Sequence, residues 1–197
     1  MKVIFCFSIL LVLAGCGPLI PDIEVAESDE TLSRDKKGRL HYEGGLFSGY
    51  LVEYYPGGTL KSKSAYSEGL LESVSYGYYP TGEVMYVRPY VKGEKHGTHT
   101  GYYPDGSLKF QYHFVTGKSA GNHQEWYQSG LLAKDLNYVD GQPFGSQKMW
   151  RPDGKIRSNY VIREDGRRYG LVGVKRCKNI DTELEQITRL TSAIYDK

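Results

Sequence analysis

The chain has 197 residues, with 25 Lys+Arg against 23 Asp+Glu. A net charge of +2 does not supply the basic excess or stripe that a dedicated nucleic-acid binder carries. Glycine (24 residues) and tyrosine (18 residues) are abundant while alanine-rich helical tracts are missing, which favours strands and turns in a single all-β domain.

The first element is an export signal. Met1-Lys2 is followed by an apolar run from Val3 to Leu13 and by small residues before Cys16. Spanning a bilayer takes roughly 20 apolar residues, so this run is too short to be a membrane helix and has the form of a cleaved signal. Leu13-Ala14-Gly15-Cys16 resembles the lipobox of bacterial lipoproteins. That resemblance implies cleavage before Cys16, diacylglycerol (palmitate-type chains) on its thiol, and membrane attachment through several acyl chains, which hold where one is marginal. Gly17, rather than aspartate, follows the cysteine, so an outer-membrane address is expected if the host is Gram-negative. Residues 16–37, with Pro18, Pro21 and four acids between Glu24 and Glu30, read as a flexible tether.

From Gly58 onward one glycine recurs every 24 residues, at Gly58, Gly82, Gly106, Gly130 and Gly154, a period typical of repeat architectures. An aromatic column, Tyr54, Tyr78, Tyr102, Trp126 and Trp150, precedes each of these glycines by four. Proline stands at 56, 80, 104 and 152, replaced by Gln128 in the fourth unit. An apolar column follows at Leu60, Val84, Leu108, Leu132 and Ile156, and a second column at Tyr66, Tyr90, Phe114, Tyr138 and Ile162. A second glycine, at Gly69, Gly93, Gly117, Gly141 and Gly166, keeps step except for one inserted residue at the end. A third, at Gly49, Gly97, Gly121, Gly145 and Gly170, is interrupted by Ser73.

Proline opens a β-turn and glycine accepts positive φ, so Pro-x-Gly predicts a tight reversal; the second glycine predicts the opposite, looser one. The segments between them have strand length and strand composition, and Leu108, Phe110, Tyr112 and Phe114 alternate with Lys109, Gln111 and His113. Each unit therefore predicts a β-hairpin, marginal alone and stable when stacked on its neighbours. Asp35 to Gly45 reads as a shortened cap unit. After Cys177, Thr182-x-x-Glu185 with Leu184, Ile187, Leu190 and Ile194 predicts a C-terminal helix over 179–197 that caps the last strand edge. The predicted fold is thus all-β, an elongated antiparallel meander of stacked 24-residue β-hairpin repeats over 38–178 with a short C-terminal α-helix. Residues 1–15 are the signal peptide.

The pattern Gly-x-Tyr-x-x-Tyr-Pro-x-Gly-x-Leu, running on to an aromatic and a Gly-Lys, resembles the bacterial variant of the MORN repeat, found in antitoxin-like proteins and membrane lipoproteins. The resemblance covers about 35–170 and implies a hairpin sheet without catalytic residues or cofactors.

Residue types that carry chemistry are present but not assembled in the sequence. His96 and His99, three apart on a strand, would point to opposite faces and do not read as a metal pair. Glu53, Glu72, Glu125 and Asp135 occupy ordinary strand positions with no pair marked as acid and base. With Cys6 lost and Cys16 acylated, Cys177 is a lone thiol flanked by Lys175, Arg176 and Lys178, a reactive thiol or an inert one. The aromatic columns read as packing, with sugar stacking on cell-wall glycan as the alternative. Arg163, Arg167, Arg168, Lys175, Arg176 and Lys178 form a basic cluster diluted by Glu164 and Asp165. The expected function is a lipid-anchored, exported, non-enzymatic scaffold binding an unidentified protein, of antitoxin or immunity type.

Overall fold

The computed structural model describes residues 18–173; the signal, Cys16, Cys177 and the expected C-terminal helix lie outside them. Every regular element among the described residues is a β-strand. The chain divides into two compact units, one ending at Ser119 and the other starting at Ala120.

The first unit contains β1 (Glu24–Ala26), β2 (Ser33–Arg34), β3 (Leu40–Tyr42), β4 (Gly45–Leu46), β5 (Gly49–Tyr54), β6 (Leu60–Ser67), β7 (Leu70–Tyr78), β8 (Val84–Val91), β9 (Glu94–Lys95), β10 (Gly97–Tyr102), β11 (Leu108–Val115) and β12 (Lys118–Ser119). From β5 on, its main sheet follows chain order, β5-β6-β7-β8-β10-β11, with β9 against β8 and β12 against β11. β2, β3 and β4 make a separate small sheet. The second unit continues the antiparallel pattern in β13 (Gly121–Trp126), β14 (Leu132–Val139), β15 (Gln142–Trp150), β16 (Ile156–Ile162) and β17 (Arg168–Leu171).

The Pro-x-Gly loops take one geometry. At 103–107 the Gly106 N–H donates to the Tyr103 carbonyl at 2.9 Å, and the Tyr103 N–H donates to Ser107 at 2.8 Å, with Gly106 at φ +80°. This is a type I turn closed by a glycine bulge, and the strand register slips beside it, between Gly101 and Tyr102. Gln128 does not disturb it, since Gly130 and Tyr127 make the same pair of bonds. The turn depends on the glycine and on backbone bonds, and proline only biases its first dihedral.

The second reversals are tighter than expected. Ser67 pairs with Leu70 and Val139 with Gln142, leaving two-residue loops in which both residues have positive φ, Glu68 +50° with Gly69 +77° and Asp140 +50° with Gly141 +82°. These are type I′ turns, whose twist matches that of the flanking strands. Two assignments change accordingly. Gly166 closes a loop of the first class, its N–H donating to the Arg163 carbonyl, so the extra residue at the end reflects a different turn type. In the cap unit Gly45 stands 24 residues ahead of Gly69, yet the reversal runs through Glu43 and Gly44. Ser73 interrupts the third glycine column yet adopts its backbone, at φ +61° against +71° for Gly145.

The segment expected to be a tether is folded from Glu24 on. β1 pairs in parallel with β5, Glu24 to Ala26 opposite Tyr50 to Val52, and Val25 is buried. Three residues with a single inward side chain are too few to show a strand period in the sequence. Val25 joins Leu40, Phe47, Leu51 and Tyr66 in an apolar core, and the Phe47 ring lies 6.0 Å from Tyr66.

Candidate interaction surface

The side chains with chemical potential separate into two sets, those consumed by the fold and those left toward solvent. The consumed set includes a column that sequence reading missed. Leu51, Ser75, His99, His123 and Gln147 recur every 24 residues and are all buried. Their chemistry differs too much for residue identity to reveal the column; only the spacing could have done so. Ser75, His99 and Gln147 each make a polar contact from this column. Ser75 shares a 2.7 Å hydrogen bond with Ser64 across the hairpin. The His99 Nε2 donates to the Pro89 carbonyl at 2.8 Å, and the Gln147 Nε2 donates to the Asn137 carbonyl at 2.7 Å. In both of the latter the acceptor lies ten residues earlier. The β14–β15 register skips Asn137, and a carbonyl displaced from its ladder needs a new donor once buried. Burial also holds the His99 imidazole below its ordinary pKa, with a smaller contribution from the positive charges of Arg88 and Lys95.

The carboxylates are likewise occupied. Glu53 pairs with Lys61 and Glu125 with Lys134, at 2.5 and 2.9 Å, and Glu72 accepts the Lys92 main-chain N–H. Asp165 accepts the Arg167 N–H and the Tyr169 hydroxyl, bonds that lower its pKa. The tyrosines directly before the loops, which sequence reading did not separate from their aromatic neighbours, staple successive hairpins. Tyr55, Tyr79 and Tyr127 donate their hydroxyls to the carbonyls of Tyr78, Tyr102 and Trp150, at 2.9, 2.8 and 2.8 Å. A phenol suits this because its ring packs while its hydroxyl reaches a main-chain acceptor.

The available set starts with the first aromatic column. Tyr54 is 50% exposed, and Tyr78, Tyr102, Trp126 and Trp150 are half-buried, so these rings lie outside the apolar core. His96 is exposed just before β10 while His99 is buried within it. In the basic cluster, Arg163 lies over the Tyr169 ring at 4.6 Å and Arg168 over Tyr160 at 5.5 Å; Lys175, Arg176 and Lys178 are outside the described residues.

On the β8–β10–β11 part of the first unit there is a small cavity of about 150 Å³. Tyr90, His99 and Phe114 form one part of its wall, with ring centroids 5.2 Å apart for Tyr90–His99 and 4.7 Å for His99–Phe114. Phe110 and Tyr112, stacked at 4.6 Å, form another. Gly101 faces Phe110 across the strands, and a Cβ there would fall 2.1 Å from the ring, so only glycine lets that ring lie flat on the sheet. Arg88 and Lys95 complete the lining.

Residues 95–115 match the family described as the MORN repeat variant, a stretch running from Lys95 through β10 to the end of β11. The match supports a MORN-repeat protein, and such repeats are in general scaffolds that bind proteins or membranes rather than a known enzyme family. No curated protein matches the chain.

Proposed function

We propose that this chain is a lipid-anchored, non-enzymatic scaffold of the bacterial envelope that binds another protein through its β-sheet. The observation that carries the reading is the division of side chains just described. Within the buried polar column His99 and Gln147 donate to main-chain carbonyls, and the carboxylates of Glu53, Glu72, Glu125 and Asp165 are tied up in pairs or turns, whereas the half-exposed rings and several cations remain for contact. Anchoring rests on Cys16 and the run before it, which also imply export, and Gly17 after the cysteine implies the outer membrane in a Gram-negative host.

The scaffold reading is tested by cross-linking in the native host through a photoreactive residue at Tyr54 or Tyr102. One partner protein should be recovered, with loss of the cross-link when the neighbouring exposed rings are truncated; a partner set identical to that of an unrelated lipoprotein would overturn it. An antitoxin or immunity role predicts a toxin encoded next to this gene and rescue of intoxicated cells by this protein. The anchor predicts fatty-acid labelling that disappears in Cys16→Ser.

The exposure of the aromatic column favours one second reading, stacking on cell-wall glycan. Retention on purified cell wall should then fall in Trp126→Ala and Trp150→Ala, and undiminished retention removes this reading.

A further inference from the structure

We infer that the aromatic cavity bounded by Arg88 and Lys95 is a receptor for one acidic side chain, a glutamate or aspartate, presented by the partner protein. The inference rests on the scaffold reading and names the chemistry the partner must display.

Three observations support it. The first is charge. Arg88 and Lys95 form no ion pair with a carboxylate among the described residues, and their heads lie instead over rings, Arg88 4.1 Å from the centre of Tyr86 and Lys95 5.0 Å from that of Phe114. Two cations at one cavity, without a counter-charge, favour a ligand that brings one, and a carboxylate accepts charge-assisted hydrogen bonds from both head groups. The second is the wall. Five rings line the space, so the ligand must be apolar behind its charge, as the methylene stem of an acidic residue is. A phosphate would set four oxygens against a surface that offers them few donors. The third is size. About 150 Å³ has room for a single side chain and lies well below the ~300–1,000 Å³ of sites that enclose drug-sized ligands.

His99 supports the cavity without adding charge to it. Its Nε2 is committed to the Pro89 carbonyl and its pKa is held down by burial, so near neutral pH the positive charge comes from Arg88 and Lys95 alone. Phe110 is pinned above Gly101, which keeps that wall in place before a ligand arrives.

The test is an NMR titration of the full chain in detergent micelles, following the ring signals of His99 and Phe114. The probes are the peptide acetyl-Gly-Glu-Gly-amide, its glutamine counterpart, and vesicles of phosphatidylglycerol. The glutamate peptide should shift both rings saturably, the glutamine peptide should bind about tenfold more weakly or not at all, and Arg88→Gln or Lys95→Gln should weaken the glutamate peptide by about the same factor. Lys95 is exposed, so its variant keeps the test valid if Arg88→Gln does not fold. Equal response to the two peptides, or an undiminished response in the double variant, overturns the inference; a response to vesicles alone makes the cavity a lipid site. If cross-linking to a partner persists unchanged in the double variant, the scaffold stands and this receptor falls. If no partner is found but the glutamate peptide binds as described, the scaffold reading is the one that fails.

Discussion

Around β3 and β5 the first unit buries Val25, Leu40, Phe47, Leu51 and Tyr66 against one another, whereas the buried positions described in the second unit are Ala133 and the polar His123, Gln147 and Ser158. Both regions use the same turns and the same 24-residue interval. In the first, the inward column position is Leu51 and the contact is apolar; in the second it is Gln147, which donates to Asn137 and Phe144, while Asn137 donates in turn to Ser146. The repeat fixes backbone geometry and leaves the means of filling the interior open. An apolar core stabilises by removing area from water, whereas a polar interior holds only while each group keeps its partner.

The comparison can be broken or sharpened by substitution. Phe47→Ala should have the largest effect, a loss of about 3–4 kcal/mol in urea unfolding, because it opens a cavity in the apolar core. A loss smaller than that of a polar-column variant would reverse the contrast between the regions. Gln147→Leu, close in volume, should cost about 2 kcal/mol, since it leaves the Asn137 carbonyl buried without its donor. A stabilised variant would show that the second unit also prefers an apolar interior.

Farther along the same column the first unit has polar positions too, Ser75 and His99, and His99 responds to pH. The native His99 pKa is lowered, so the unfolded chain binds the proton more readily. The stability from the neutral imidazole is therefore complete above the unfolded value near pH 6.5 and declines as pH falls from there toward the native value. Urea midpoints measured from pH 7.5 down to pH 5 should fall, and in His99→Gln, which keeps a donor for Pro89, the part of the fall due to this residue should vanish. An identical profile in the variant would remove His99 as its source. The smallest effect is expected at the bulge that the two units share. Ser73→Gly, at φ +61°, should raise stability by about 0.5–1 kcal/mol through relief of a left-handed backbone, while Gly145→Ser should lower it by a similar amount.

Much of the framework was legible in advance because turns are local. Gly106 with Pro104 and Asp105 states its dihedral requirements within four residues, and five copies in step leave little ambiguity about hairpins. The second reversals were misjudged because only one of them, Asp140-Gly141, has the residue pair that marks a type I′ turn; at Glu68, Lys92 and Thr116 the two-residue loop imposes a positive φ that the residue does not announce. The folding of residues 24–37 was missed because β1 is held by parallel pairing to β5, a partner more than twenty residues away. The candidate site was the least legible part. Arg88, Lys95, His99 and Phe110 occupy unremarkable positions one by one, and become a site only when β8, β10 and β11 lie side by side.

By itself the sequence determined the 24-residue interval, the glycine-closed turns, the strands between them and the lipobox-like start, all properties of short stretches whose physics is complete within a few bonds. Only the tertiary structure decided which side chains the interior consumes. Burial and hydrogen-bond satisfaction depend on neighbours from other strands, and the same column position can therefore hold Leu51 in an apolar cluster, His99 against the Pro89 carbonyl, or Gln147 on the carbonyl of Asn137.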